Sequence, residues 1–141
     1  MKILLDTNVV LDHFLDRKPF SHAAGLIFAA TEQRKLETYL GATTVTTIHY
    51  LATKSLGSKQ GKDVVEKLLR LFEVAPVNRT ILASALLLKF SDFEDAVLHE
   101  AAIHSGAQAI VTRDRKGFEN SSLSVYSADE FILAYSSLNL G

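Results

Sequence analysis

The 141-residue sequence contains no cysteine, which excludes disulfide bonds and thiolate ligands for a metal ion. Such a composition is typical of a reducing compartment. The chain begins at Met1 without a basic, apolar signal segment, so we expect a cytoplasmic protein. No run approaches the roughly 20 consecutive apolar residues that a membrane-spanning helix needs, and we therefore expect no membrane partner.

Neither sign of charge is in excess, with 15 basic against 16 acidic side chains. The total charge therefore does not attract nucleic acid, and any such partner must be met by a local basic patch. The seven glycines never occur as G-x-G-x-x-G or before a Lys-Ser/Thr pair. Nucleotide cofactors bound through those fingerprints are accordingly not indicated.

Short apolar segments alternate with stretches of helical periodicity along the whole chain. Residues 3–5 and 109–111 are apolar at every position, as in strands buried on both faces of a sheet, and weaker strand patterns lie near 37–42, 73–77 and 124–126. Helical spacing fills the intervals, with Asn8 and Asn78 as N-cap candidates and 58–61 as a polar turn. The pattern predicts one α/β domain over residues 1–141, with a central parallel sheet of about five strands flanked by helices.

Acidic side chains occur where these elements meet. Asp6 follows the first apolar strand, the turn T-R-D-R follows the strand at 109–111, and Asp92, Glu94 and Asp95 open a helix. Parallel strands end at one edge of a sheet, so the acids can converge, and carboxylates at close range repel one another unless a cation neutralises them. Oxygen ligands without cysteine suit Mg²⁺ or Mn²⁺. Alternatively, Asp6 caps a turn, and Asp92 and Glu94 only complement a helix dipole.

Three segments together carry a family resemblance. They are Asp6-Thr7-Asn8 after the first strand, Asp92-Phe93-Glu94-Asp95-Ala96 at a helix start, and Val111-Thr112-Arg113-Asp114 after a later strand. In this order, and with the terminal S-A-D-E-F segment, the chain resembles a PIN domain, most closely the bacterial branch related to VapC-type toxins.

The resemblance implies a Rossmann-like PIN fold and a Mg²⁺- or Mn²⁺-dependent ribonuclease, commonly a homodimer and often inhibited by an antitoxin protein. It makes Asp6, Asp95 and Asp114 the catalytic and metal-binding acids. Asn8 and Thr112 are then supporting polar groups.

The third predicted helix departs from the family pattern. Many members have an acid there, whereas the closest position in this chain is Thr47. A neutral residue puts metal affinity and activity in doubt. His49 offers a nitrogen two residues later, although an ordinary solvated histidine is the more frequent case.

Basic residues flank Asp114, namely Arg113, Arg115 and Lys116. They are candidates for holding RNA phosphates, with a solvated loop as the alternative. The leading hypothesis is thus metal-dependent RNA hydrolysis by the toxin of a toxin–antitoxin pair. The alternatives are a PIN-fold module that binds RNA or protein with weakened catalysis, and a phosphohydrolase with Asp6 as nucleophile, which Asn8 disfavours because such enzymes have aspartate at that position.

Overall fold

The computed structural model describes residues 1–139, which contain a five-stranded parallel sheet. The strands are β1 (Lys2–Leu5), β2 (Glu37–Gly41), β3 (Glu73–Ala75), β4 (Ala109–Val111) and β5 (Ser124–Tyr126). Their order across the sheet is β3-β2-β1-β4-β5, and every neighbouring pair is parallel. The predicted sheet of about five parallel strands is confirmed, with β1 at its centre.

Helices connect the strands, as parallel crossovers require. They are α1 (Thr7–Phe14), α2 (Ser21–Glu32), α3 (Ala42–Leu56), α4 (Ser58–Leu71), α5 (Arg79–Leu86), α6 (Phe93–His104) and α7 (Ala128–Asn139), with a short 3-10 turn at Lys116–Phe118. Among the described residues, no helix is both long enough and apolar enough to cross a membrane.

Two apolar layers pack against the two faces of the sheet. Successive residues of a strand point to opposite faces, so Ile3 and Leu5 contact one layer while Leu4 contacts the other. The first layer joins α1, α2, α3, α4 and α7, and the second joins α5, α6 and the 3-10 turn through Phe118. Because β1 and β4 are covered on both sides, every residue of the two predicted buried strands is inaccessible to solvent.

Two local predictions are wrong. The N-cap of α1 is Asp6 rather than Asn8, because the Asp6 carboxylate accepts a hydrogen bond from the backbone N–H of Thr7. The expected turn at 58–61 already belongs to α4, and the break between α3 and α4 is reduced to Gly57 with φ of 96°. A backbone at this φ suits glycine, which has no Cβ to clash.

The register of the central strands places the candidate acids. Leu5 of β1 lies beside Val111 of β4, and the backbone N–H of Asp6 donates to the Val111 carbonyl at 2.9 Å. One residue further along β4, the backbone N–H of Thr112 donates to Tyr126 at 2.8 Å. The residues that follow β1 and β4 therefore leave the same edge of the sheet side by side.

Candidate functional site

Asp6 is a buried carboxylate at the carboxyl end of β1, with 7% of its surface exposed. One oxygen accepts from the backbone N–H of Thr7 at 2.7 Å, and the other accepts from the Thr112 hydroxyl at 2.7 Å. Burial raises the pKa of Asp6; the two hydrogen bonds oppose that shift, while the charges of Asp114 and Glu94 add to it. The protein thus holds this carboxylate in one orientation among other negative charges.

Thr112 links Asp6 to Asp114. Its hydroxyl donates to Asp6 and accepts from the backbone N–H of Asp114 at 2.9 Å. The Asp114 carboxylate is oriented in turn by the backbone N–H of Gly117, which donates to its Oδ1 at 3.0 Å. A chain of hydrogen bonds therefore runs from the end of β1 to the 3-10 turn.

Asp95 lies on the first turn of α6, and Asp92 forms the N-cap. The Asp92 side chain accepts from the backbone N–H of Asp95 at 3.1 Å. Burial, followed by the charges of Asp6, Asp92, Asp114 and Glu94, raises the pKa of Asp95 to about 7. A helix N-terminus alone would lower that pKa, so burial and the surrounding acids outweigh the helix dipole.

The space in front of Gly117 shows where two of the acids point. A Cβ atom at that position would lie 2.6 Å from Asp114 Oδ2 and 2.7 Å from Asp95 Oδ2. Both carboxylates therefore face the same small volume, which is open because Gly117 has no side chain. The charge of Asp114 raises the pKa of Asp6, and the charge of Asp6 raises the pKa of Asp95, so Asp6, Asp95 and Asp114 lie near one another at one edge of the sheet.

The donor chemistry of this edge fits a hard divalent cation, because carboxylates are its ligands and their mutual repulsion is what a cation relieves. Asp6, Asp95 and Asp114 are the residues that would hold it. In the described part of the chain, no three acidic or histidine side chains lie close enough together to hold an ion without moving. Asp95 is partly exposed and Asp114 is exposed, so both side chains have room to turn toward an ion.

The other residues named from the sequence occupy different positions around this edge. Asn8 approaches Asp6 at 3.4 Å through its amide nitrogen and accepts from the backbone N–H of Arg113 at 3.2 Å. Thr47 lines a cavity of about 330 Å³ together with Glu94. His49 lines a different cavity, between α3 and α4, which Glu94 does not line.

The three basic candidates differ in their partners. Arg113 donates to Asp12 through Nε at 2.7 Å and Nη2 at 3.0 Å. Arg115 forms an exposed ion pair with Glu130 at 2.8 Å. Lys116, at the start of the 3-10 turn, is exposed. The guanidinium of Arg113, whose side chain is 33% exposed, is therefore tied to a buried carboxylate. Arg115, at 59%, and Lys116 are more open to solvent.

Asp12 and Gly117 were missed by reasoning from the sequence. Asp12 is 1% exposed, although it reads as an ordinary polar position of α1. Its place one helical turn after Asn8 is a signal that the two side chains share a face. Gly117 follows Asp114 by three residues, a spacing at which an aspartate side chain can cap a helical turn.

Comparisons with known proteins bear on the family and the fold of this chain. A sequence profile described as PIN domain matches residues 2–116. No curated protein matches the sequence significantly.

Among solved structures, DNA-bound VapBC from Salmonella typhimurium is 20% identical with a TM-score of 0.69, covering 91% of this chain and 98% of that chain. FitAcB from Neisseria gonorrhoeae is 22% identical with a TM-score of 0.67, covering 89% and 97%. VapC20 from Mycobacterium tuberculosis, a toxin that cleaves the sarcin–ricin loop, is 14% identical with a TM-score of 0.62, covering 77% and 86%. Identities this low establish a common fold only, whereas the profile covers most of the sequence, and the chain belongs to the PIN domain family.

Proposed function

We propose that this protein is a divalent-metal-dependent ribonuclease and the toxin of a toxin–antitoxin pair. Asp6, Asp95 and Asp114 hold Mg²⁺ or Mn²⁺ and are the catalytic acids. Bound there, the ion supplies a Lewis acid that activates water for attack on phosphorus and stabilises the negative charge on the departing oxygen.

One observation carries the proposal. Asp95 faces the same small volume as Asp114, and burial together with Asp6, Asp92, Asp114 and Glu94 raises its pKa to about 7. Clustered acids of this kind destabilise the folded protein in the absence of a counter-ion. Such an arrangement is typical of functional sites, and a cation that relieves the repulsion gives it a physical purpose.

The surrounding residues orient these acids. The Thr112 hydroxyl and the Thr7 backbone N–H fix both oxygens of Asp6, and Gly117 fixes one oxygen of Asp114. Asp92 caps α6 and so sets the direction of its first turn. Because Asp6 is already held in place through both oxygens, only Asp95 and Asp114 need to turn when an ion binds, which limits the reorganisation that binding requires.

Support for RNA as the substrate comes from the exposed basic side chains beside Asp114. Lys116 and Arg115 lie within two residues of that acid, and an exposed cation at this distance suits a phosphate of the RNA backbone. VapC20, which shares the fold, cleaves the sarcin–ricin loop, an RNA element. A structural relative solved as a toxin–antitoxin complex supports an antitoxin as the protein partner.

Cleavage of single-stranded RNA by the metal-free protein, with Mg²⁺, Mn²⁺ or EDTA added, tests the proposal. Cleavage should require the metal and stop in excess EDTA. Asp95→Asn and Asp6→Asn should each slow it by roughly 10²- to 10³-fold, the usual loss when a group that stabilises the transition state is removed. Asp63→Asn, an exposed acid on α4, is the matched control and should cleave normally. Activity that persists in EDTA would exclude the proposed chemistry.

A second function is favoured by Thr47, where many PIN domains have an acid. A hydroxyl in that place provides a weak neutral oxygen, so the domain can instead serve as a module that binds RNA or a protein with little cleavage. Filter binding of the same RNA with and without Mn²⁺ separates the two functions. Tight binding without turnover, unaffected by Asp95→Asn, is the outcome expected of a binding module.

A further inference from the structure

An ion pair between a buried carboxylate and a partly exposed arginine joins α1 to the turn after β4. Asp12 is 1% exposed, and both of its oxygens accept from Arg113, at 2.7 Å and 3.0 Å. Arg17 also approaches Asp12, but only at 3.9 Å and from a side chain that is 42% exposed. The two-point contact with Arg113 is thus the specific one, since it matches the planar guanidinium to the carboxylate.

Two further contacts fix Arg113. Its guanidinium carbon lies 4.2 Å from the centroid of the Phe20 ring, and its backbone N–H donates to Asn8 Oδ1 at 3.2 Å. Asn8 and Asp12 are four residues apart on α1, so two successive turns of one helix face hold this residue. Arg113 is therefore restrained through its side chain and its backbone at once.

The neighbours of Arg113 in sequence belong to the candidate metal site. Thr112, on one side, donates to Asp6, and Asp114, on the other, is one of the three acids. A shift of Arg113 necessarily moves both. The position of Asp114 relative to Asp6 thus depends on the contact between Arg113 and α1.

Stability alone gives little reason for burying the Asp12 carboxylate. A buried carboxylate with a charged partner is often no more stabilising than an apolar side chain of similar volume, whereas the geometry of its ion pair is much more specific. Val9, Val10 and Leu11, which precede Asp12 on α1, show that apolar residues are readily accommodated in this helix.

We propose that Asp12 and Arg113 are positioning residues of the metal site and that Arg113 does not contact RNA. They hold the segment from Thr112 to Asp114 against α1, which fixes the distance between Asp6 and Asp114. This inference rests on the proposed function, because it assigns the pair a purpose in metal binding.

Calorimetric titration of metal-free protein with Mn²⁺ provides the test, alongside RNA kinetics at fixed Mn²⁺. Arg113→Lys retains the charge but cannot form the two-point contact, and Asp12→Asn removes the acceptor charge without changing Arg113. Both should raise the Mn²⁺ dissociation constant by about 10- to 100-fold, the usual effect of losing a partner that orients a metal ligand. The turnover number should fall, while KM for RNA stays within about twofold of the wild type.

Arg17→Gln is the matched control, because it removes a positive charge near Asp12 without touching the turn after β4. Its Mn²⁺ affinity should equal that of the wild type. A direct role of Arg113 in RNA binding predicts the reverse pattern, in which Asp12→Asn leaves Mn²⁺ affinity unchanged and Arg113→Lys alters mainly KM. That pattern would overturn the inference.

Hydrogen exchange of the metal-free variants separates this inference from the proposed function. The backbone N–H groups of Arg113 and Asp114 should exchange faster in Arg113→Lys and Asp12→Asn than in the wild type, whereas those of β2 should be unchanged. Unchanged exchange at Arg113 and Asp114 would refute the positioning role even if the wild type cleaves RNA. A wild-type protein that binds no Mn²⁺ would overturn the proposed function, and the metal role of the pair with it.

Discussion

At neutral pH the Asp95 carboxyl is only about half ionised in the metal-free protein, because its pKa is raised to about 7. Its ordinary pKa is 3.8, so the folded state binds this proton more tightly than the unfolded state does. The resulting stabilisation is present below about pH 4 and is lost as the pH rises through 7. Metal-free protein should therefore become less stable across this interval.

Asp95→Asn should remove this loss. The amide is neutral at every pH, so the variant and the wild type should melt together at pH 4 in EDTA, and the variant should melt higher at pH 8. Asp95 is partly exposed and solvent screens its charge. At pH 8 we therefore expect the free energy of unfolding of the variant to exceed that of the wild type by about 1 kcal/mol, or roughly 3 °C in Tm. Thermal melts at both pH values check this, with Asp63→Asn as the control. Equal melting temperatures at pH 8 would contradict the predicted ionisation of Asp95.

Gly117 leaves open the space that Asp95 and Asp114 face. Alanine there would place its Cβ within 2.7 Å of an oxygen of each acid, and both oxygens are at the ends of side chains that can rotate. Gly117→Ala should therefore fold normally but turn the two carboxylates aside and weaken Mn²⁺ binding by about tenfold or more.

Calorimetry with Mn²⁺ and a thermal melt of the metal-free protein separate the two effects. Gly25→Ala is the matched control, because its Cβ would come no closer than 3.6 Å to another residue, His13. If Gly117→Ala binds Mn²⁺ like the wild type, the ion does not bind in the space before Gly117.

At the scale of the elements, α3 faces the first turn of α6 across a cavity of about 330 Å³ that Thr47 and Glu94 both line. An acid at position 47 would add a charged oxygen to this side of the site. We predict that Thr47→Glu or Thr47→Asp lowers the Mn²⁺ concentration needed for half-maximal RNA cleavage, because a carboxylate binds the ion more strongly than a hydroxyl.

His49→Glu is the matched control on the same helix, since His49 lines the other cavity, between α3 and α4. Metal titrations of RNA cleavage compare the three variants with the wild type. If neither acid at position 47 changes the titration while Asp95→Asn abolishes Mn²⁺ binding, the side chain at position 47 is not a ligand of the ion.

Periodicity predicted the strands and most helices of this chain, because each has a local apolar pattern that matches its burial. The N-cap of α1 was missed because aspartate and asparagine are similarly good caps, and only the contact between Asp6 and Thr7 decides between them. The start of α4 was missed for a tertiary reason, since Gly61 packs directly against Thr53 of α3.

Within the site, some of the contacts could be predicted from the sequence and others could not. The convergence of Asp6, Asp95 and Asp114 followed from parallel strands ending at one edge. The pairing of Asp12 with Arg113 spans 101 residues and leaves no pattern in the sequence. The metal and RNA roles of all these residues stay predictions.

At the scale of the whole molecule, leucines on and just after α5 are conspicuously exposed. Leu86 is 72% exposed and Leu87 86%, and Phe93 at the start of α6 is 49% exposed. Large apolar side chains exposed to this extent are typical of surfaces that meet another protein, and a second copy of the chain is the commonest such partner. We therefore predict a homodimer that buries the end of α5.

Sedimentation at micromolar concentration measures the oligomeric state. Leu86→Lys should convert the dimer to a 15.5 kDa monomer, because it places a charge in the interface. Leu69→Lys on α4, where the side chain is 56% exposed, is the matched control and should remain dimeric. A wild type that sediments as a monomer would refute the dimer.

That residues 1–141 form one domain stays a prediction, and the last two of these residues lie outside the described range.

The central place of β1 has a consequence during synthesis on the ribosome. Thr112 follows Asp6 by 106 residues, and β1 is complete in the sheet only after β4 has been made. At ordinary translation rates, Asp6 leaves the ribosome roughly 5 to 20 seconds before its partners. A nascent chain therefore has no assembled acidic site until β4 and the residues that follow it have left the ribosome, and a chain truncated before β4 never acquires one.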